Sequence, residues 1–145
     1  MASGSHDRDS STNNTFGGEK PGTPDLAFNG FGLINTGLAF APDVSNMLIT
    51  RLGVSTEPFN NFALFRKAEI GGDVFIYDKD WKDAPIDEPT KDGRLLGYEP
   101  DVYLNWQITS DLTLAMRYGI FQPSTKILSS QKARQLFYTG VTLAF

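Results

Sequence analysis

The chain has 145 residues, a formal net charge of −4 and no cysteine, and 40% of its residues are hydrophobic. This length suffices for one hydrophobic core, and the acidic balance argues against a nucleic-acid-binding surface. The lack of cysteine excludes disulfides and thiolate metal sites. No run approaches the roughly 20 consecutive apolar residues of a transmembrane helix. This criterion does not detect membrane proteins that cross with β-strands, because their lipid-facing and lumen-facing residues alternate.

The N-terminal segment is polar and rich in Gly, Ser, Thr and Asn. It holds too few apolar residues to bury a core, so we expect residues 1–27 to be a disordered tail. Residues 1–6 are typical of an engineered junction, and we expect no signal peptide because no apolar stretch follows a basic patch. The folded part, a β-barrel segment, is therefore predicted to cover residues 28–145.

From residue 28 onward, apolar residues recur at every second position, which is the period of a β-strand. This pattern predicts an all-β fold, an antiparallel meander of five to six strands, because turn residues separate neighbouring alternating runs. The first of the six candidate segments is the weakest. In chain order the segments are FGLINTGLAFAP (31–42), NMLITRLGVST (46–56), KAEIGGDVFIYD (67–78), DVYLNWQI (101–108), LTLAMRYGIF (112–121) and RQLFYTGVTLAF (134–145).

The predicted connections alternate in length along the chain. TSD (109–111) is very short, YDKDWKDAPIDEPTKDG (77–93) is long and acidic, and QPSTKILSSQKA (122–133) is intermediate. EPFNNFALF (57–65) would lie at the same end of the predicted sheet as TSD, although it is long for a turn at that end. Short turns at one end and long polar loops at the other are typical of outer-membrane barrels.

One face of the predicted strands is apolar, and the other mixes charges, amides and glycine. The mixed face suits solvent or a water-filled lumen. In a lumen its charges either select solutes or pair across strands as a structural ladder. Aromatic residues near the strand ends suit the girdles of a membrane interface; they are Tyr98, Trp106, Phe121, Phe137 and Phe145. The lumen-lining candidates are Arg51, Lys67, Glu69, Asp73, Asp101, Asn105, Gln107 and Arg117.

The stretch YTGVTLAF resembles the C-terminal assembly signal of bacterial outer-membrane proteins. That signal has a large residue, a glycine two positions later, and apolar residues third from last and last. Tyr138, Gly140, Leu143 and Phe145 occupy those positions. The resemblance implies recognition by the barrel-assembly machinery through strand addition. The lipid-facing residues of this strand would be Phe137, Val141, Leu143 and Phe145.

Three phrases carry a wider resemblance: LGYEPD (96–101), NW (105–106) and SDLT (110–113). Over most of the chain from about residue 28, the sequence resembles the C-terminal portion of the alginate-export family of bacterial outer-membrane porins. The resemblance implies an outer-membrane β-barrel that passes polar or charged solutes, including polysaccharide, without a cofactor. Full members have many more strands, so it implies that this chain is the last part of one.

The predicted lumen differs from that family in charge. The family's pore is lined by basic residues that attract an acidic polysaccharide. Here the basic side chains are accompanied by acidic ones on the same face; the two groups are Arg51, Lys67 and Arg117, and Glu69, Asp73 and Asp101.

Five or six strands are fewer than the eight with which bacterial single-chain barrels begin. Unpaired strand edges are costly in lipid, so we expect self-association, the missing strands of a longer barrel, or further strands in the weak N-terminal region, and favour the second. A soluble β-sandwich that binds a ligand, and an outer-membrane barrel without transport, are the alternatives. An enzyme is not expected, since the single histidine, His6, lies in the polar tail. No metal site is expected either.

Overall fold

The computed structural model describes residues 1–9, 18–28, 35–65, 67–124, 128 and 131–145. One antiparallel sheet has the order β1-β2-β3-β4-β5, so every strand pairs with its neighbour in sequence. The predicted antiparallel meander is confirmed, with five strands. Among the described residues there is no helix long and apolar enough to cross a membrane. The strands are β1 (Met47–Thr56), β2 (Ala68–Lys79), β3 (Leu95–Gln107), β4 (Leu112–Pro123) and β5 (Arg134–Leu143).

The sixth candidate strand, residues 31–42, is not a strand where the structure describes it. Residues 35–42 have no strand conformation, and residues 31–34 lie outside the described residues. The backbone N–H groups of Leu38, Ala39 and Phe40 donate to the side chain of Glu99 and not to a neighbouring strand. Buried backbone groups need a partner, and a carboxylate supplies it here in place of a sheet ladder.

The connections lie at two opposite ends of the sheet. Residues 57–65 and 67 and the tight turn at residues 108–111 define what we call the turn end. Residues 80–94 and the described residues of the β4–β5 connection and of the segment before β1 define the loop end. Gln107 N–H donates to Lys67 C=O and Ala144 N–H donates to Asp111 C=O, which ties the connections of the turn end together.

The register divides the strands into two faces. Arg51, Asp73 and Arg117 lie on the face that we call the polar face. Val102, which pairs with Gly72 and Tyr118, lies on the opposite face, the apolar face. A strand's side chains alternate between the faces, and the charged residues of the strands agree with this assignment except for Asp78.

The buried apolar cluster lies on the polar face, at the loop end. Its centre is aromatic: Phe40 stacks on Phe121 with ring centroids 4.0 Å apart and meets Tyr77 edge-on at 4.9 Å. Phe121 is fully buried there, so its assignment to a membrane girdle is wrong; its register position puts it on the polar face. The whole cluster is Phe40, Met47, Phe75, Tyr77, Ile86, Leu96, Phe121 and Leu128.

The apolar face, by contrast, is open. Val54 is 76% exposed, Val102 56% and Val141 68%, on β1, β3 and β5 respectively. A soluble sandwich would bury this face in a private core, and the described residues do not. The large exposed side chains on it are Leu48, Leu52, Val54, Ile70, Val74, Ile76, Tyr98, Val102, Phe137, Val141 and Leu143.

The described parts of the N-terminal segment, residues 1–9 and 18–28, include residues that contact the sheet. Ala2 and Met47 exchange two backbone hydrogen bonds of 2.7 and 2.9 Å, and both side chains are buried. Ser5 and Arg8 are buried as well. These contacts cover the loop end of the β1 edge, and the boundary predicted at residue 27 stays a prediction.

A β-bulge at the loop end depends on one glycine. The β2–β3 register shifts between Tyr77 and Asp78, opposite Gly97. Gly97 has φ 155°, and a Cβ there would collide with the backbone carbonyl of Gln122 and the ring of Phe121. The bulge turns Leu96 into the buried cluster, as bulges redirect side chains elsewhere.

We predict that Gly97→Ala lowers the free energy of unfolding by about 1–3 kcal/mol, because its backbone conformation is strained for other residues. Gly72→Ala is the matched control, since Gly72 has no positive φ and its nearest neighbour, Asp101 C=O, would lie 3.2 Å from the new Cβ. Urea unfolding of protein folded in detergent measures both. Equal losses for the two variants would contradict the role given to the bulge.

Candidate functional site

A cleft of about 230 Å³ opens on the polar face beside the buried cluster. Strands β1 to β4 supply its floor, and the segment before β1 supplies one wall. Six of the eight predicted lumen residues line it: Arg51, Glu69, Asp73, Asp101, Asn105 and Arg117.

The other two candidates, Lys67 and Gln107, do not reach the cleft. They line a separate depression at the turn end, together with Ser110. Lys67 precedes β2 and is exposed in the connection, and the Gln107 side chain donates to Ser110 C=O at 3.2 Å. Strand alternation predicted the correct face of the sheet for both residues. They lie closer to the turn end than the other six, however, and this separates them from the cleft.

Arg51 and Asp73 form the best-defined contact of the cleft. The guanidinium donates twice to the carboxylate, Nε to Oδ1 and Nη2 to Oδ2, both at 2.9 Å. The ring of Phe75 lies under the guanidinium, 5.6 Å from Cζ to the centroid. Such two-pronged pairs fix geometry as well as charge. Asp73 is almost buried, whereas Arg51 is half exposed to the cleft.

Two carboxylates face each other across β2 and β3, since Asp73 and Asp101 are direct register partners. Like charges opposite each other destabilise a sheet, and the pairing of Asp73 with Arg51 offsets this. Glycines leave room for both carboxylates: a Cβ on Gly53 would collide with Asp73, and one on Gly119 with Asp101. These glycines therefore shape the floor of the cleft.

On the side of the cleft nearest the turn end, a neutral amide and a tyrosine lie beside a carboxylate. Asn105 Nδ2 donates to Glu69 Oε2 at 3.2 Å, as register partners on adjacent strands. The Tyr103 ring lies over Gly71, where a Cβ would collide with it. Tyr103 lines the cleft and was not among the predicted residues, although its position in the alternation of β3 gave the correct face.

The wall of the cleft is a segment that we call the strap, residues 35–40. Glu99 is fully buried and accepts three backbone hydrogen bonds from it: from Leu38 at 2.5 Å, Ala39 at 2.6 Å and Phe40 at 2.8 Å. Tyr77 Oη donates to Thr36 C=O at 2.8 Å. One feature of the sequence indicated a place for the strap to pack, namely the large aromatic residues at polar-face positions of β2 and β4.

A second ion pair fixes the loop end. Arg134 Nη2 lies 2.6 and 2.9 Å from the two carboxylate oxygens of Glu88, and its guanidinium lies over the rings of Phe40 and Phe121. The buried Lys79 ammonium donates to Ala84 C=O, Thr90 Oγ1 and Lys91 C=O, which fastens the long connection.

The predicted assembly-signal residues extend from the middle of β5, at Tyr138, to beyond its turn end, at Phe145. Tyr138 and Gly140 are on the polar face, where the Tyr138 hydroxyl lies over Gly140. Leu143 is exposed on the apolar face, and Phe145 is fully exposed. Their recognition by assembly machinery stays a prediction.

The cleft offers hydrogen-bond donors and acceptors, and its lining includes positively and negatively charged side chains. Among the described residues, no group of three or more His, Cys, Asp or Glu side chains is arranged to hold a metal ion. No protein-family model, curated protein or solved structure matches the chain.

A carboxyl group in the long connection predicts a pH dependence. Burial raises the pKa of Asp87, and the nearby charge of Glu88 raises it further, although the N–H of Asp43 donates to Oδ2. Because the folded-state pKa is raised, ionisation disfavours folding. Stability is therefore lost as the pH rises from the unfolded value of about 3.9 through the folded pKa.

We predict that Asp87→Asn is more stable than the unchanged chain above that pH window, and that the difference disappears below it. Urea unfolding as a function of pH measures this. The control is Asp83→Asn, an exposed carboxyl group of the same connection. A stability difference that is independent of pH would contradict the prediction.

Proposed function

We propose that this chain is a segment of a transmembrane β-barrel of the bacterial outer membrane, whose polar face lines a passage for polar solutes. The observation that carries the proposal is the reversed burial of the sheet. The apolar face is exposed on β1, β2, β3 and β5 and half-buried on β4, while the buried cluster lies on the face that carries the charges. Lipid is a medium in which such an apolar face is stable.

The distribution of charge supports lipid as that medium. Within β1–β5, all of which the structure describes, Asp78 is the only charged residue on the apolar face, and it lies at the loop end of β2. Water would tolerate charges anywhere on an exposed face, whereas lipid excludes them from its middle. The polar face of the same strands carries Arg51, Glu69, Asp73, Lys79, Glu99, Asp101, Arg117 and Arg134.

Two aromatic residues lie near the two ends of the apolar face of β3. On β3, Tyr98 and Trp106 are eight residues apart, which corresponds to about 27 Å along a strand. Phe137 lies at neither of these levels, because it pairs with Tyr118, and Tyr118 pairs with Val102. The apolar band of an outer-membrane barrel is about 25 Å tall and flanked by aromatic girdles. At the turn end, Trp106 stacks on the exposed Phe65, with ring centroids 4.8 Å apart.

The two edge strands of the sheet need further strands to pair with in lipid. Strands β1 and β5 each pair on one side only, and unpaired backbone groups are costly in lipid. The barrel would therefore be closed by further strands, either those of a longer barrel or those of other copies of this chain.

The cleft suggests which solutes would pass. Three carboxylates and two guanidinium groups line it, and one of each is neutralised in the Arg51–Asp73 pair. This mixture of charges disfavours an acidic polysaccharide and favours neutral polar solutes. Reversal potentials across a salt gradient in planar bilayers test this; anion preference would exclude it.

An outer-membrane barrel without transport is the second candidate, and one observation favours it. The buried cluster fills the polar face at the loop end, where it would narrow or close a lumen. Single-channel recording decides between the two, because a barrel with a purely structural role inserts without conducting.

We predict that Val102→Arg blocks insertion into lipid. Val102 lies midway between Tyr98 and Trp106 on the apolar face, and Arg at the middle of the bilayer costs about 2–4 kcal/mol. Asn105→Arg is the control, since Asn105 is on the polar face of the same strand, beside Glu69. Refolding into lipid vesicles, followed by semi-native SDS gels of boiled and unboiled samples, reports on insertion.

The result that supports the proposal is a heat-dependent band for Asn105→Arg and its loss for Val102→Arg. Normal insertion of Val102→Arg would contradict a lipid-facing apolar face. A folded monomer without detergent would instead favour the soluble sandwich.

A further inference from the structure

We propose that the strap, residues 35–40, is an internal constriction that sets the aperture of the passage at the loop end. This inference rests on the proposed barrel and adds to it the element that limits what passes. The strap enters from the loop end and lies on the polar face, where a lumen would be, and not on the apolar face.

Four strands contribute to the seat of the strap. Tyr77 of β2 holds Thr36 C=O, and Glu99 of β3 accepts the N–H groups of Leu38, Ala39 and Phe40. Phe121 of β4 stacks on Phe40. Arg134 of β5 covers the same ring, 5.3 Å from Cζ to the centroid. The strap therefore crosses most of the width of the sheet.

Glu99 is the central anchor because it binds the backbone of the strap and not the strap's side chains. A buried carboxylate is unfavourable unless its oxygens are hydrogen-bonded, and charge-assisted hydrogen bonds from N–H groups are the strong kind. With three donors from consecutive residues, the position of the strap is fixed on the polar face. Loss of the carboxylate leaves three backbone N–H groups without their acceptor.

Gly37 allows the strap to approach Tyr77 and Glu99 closely. Its φ is 101°, and a Cβ at this position would collide with the Tyr77 hydroxyl. The neighbouring Leu38 reaches over Gly119 of β4. The inner edge of the strap, formed by Asn35, Gly37 and Leu38, thus faces the charged floor of the cleft.

The experiment records single channels of the full chain in planar bilayers, with Glu99→Ala as the test variant. We expect a several-fold higher conductance for this variant, because the strap leaves its seat. Phe40→Ala, which removes the stacked ring from the other side, should raise conductance as well. The control is Glu57→Ala, which removes an exposed carboxylate at the turn end, away from both the strap and the cleft.

A second measurement covers the case in which Glu99→Ala does not fold. The chain has no cysteine, so the Leu38→Cys variant can be labelled with a bulky methanethiosulfonate reagent while the backbone N–H at this position still binds Glu99. Labelling should reduce the current strongly. Labelling of Glu57→Cys, an exposed position in the β1–β2 connection, is the control and should leave the current unchanged.

The outcomes separate this inference from the proposed function. If the unchanged chain conducts, but neither Glu99→Ala nor labelling of the Leu38→Cys variant alters the current, the constriction is overturned and the passage stands. If an inserted chain conducts only after Glu99→Ala, the strap closes the passage completely. If neither conducts, although both insert and give a heat-dependent band on semi-native gels, the passage is overturned and the constriction with it.

Discussion

The alternation of side chains along a strand is the constraint on which the rest of this structure depends. One residue of register decides which side chains meet which medium, and all charged residues of the five strands except Asp78 lie on one side. This sheet reverses the usual burial, because its apolar face is open and its buried cluster lies among the charges. Both the cleft and the strap follow from this reversal, since each lies on the polar face.

Much of the fold could be predicted from the sequence because strand alternation is a local property. The runs that contain Val102, Leu114 and Val141 gave the strands, and the short TSD segment gave the β3–β4 hairpin. Alternation also placed Arg51, Asp73, Asp101 and Arg117 on one face. Their meeting in one cleft follows from the pairing of neighbouring strands. Alternation fixes the side of a residue but not its level, which is why Lys67 and Gln107 were grouped with them.

The strap could not be predicted, because its contacts join residues far apart in sequence. Glu99 binds residues about 60 positions earlier, and its seat needs side chains from four strands. Residues 31–42 have an apolar pattern that suggests a strand, yet the described part of it satisfies its N–H groups through a side chain. Phe121 was misassigned for a related reason: a large aromatic near a strand end suits a girdle, but its register position directs it into the cluster. The LGYEPD phrase that carried the family resemblance contains the bulge glycine, Gly97, and the anchor, Glu99.

The central claim is that the apolar face meets lipid, and spin labelling along β4 tests it most directly. This strand pairs on both sides, and single cysteines at residues 113–118 can be labelled one at a time because the chain has none of its own. Collision rates with oxygen, which partitions into lipid, and with a water-soluble nickel chelate would then be compared in vesicles. The account predicts oxygen maxima at Leu114, Met116 and Tyr118 and chelate maxima at Thr113, Ala115 and Arg117. Chelate maxima on the first set, or no alternation at all, would contradict it.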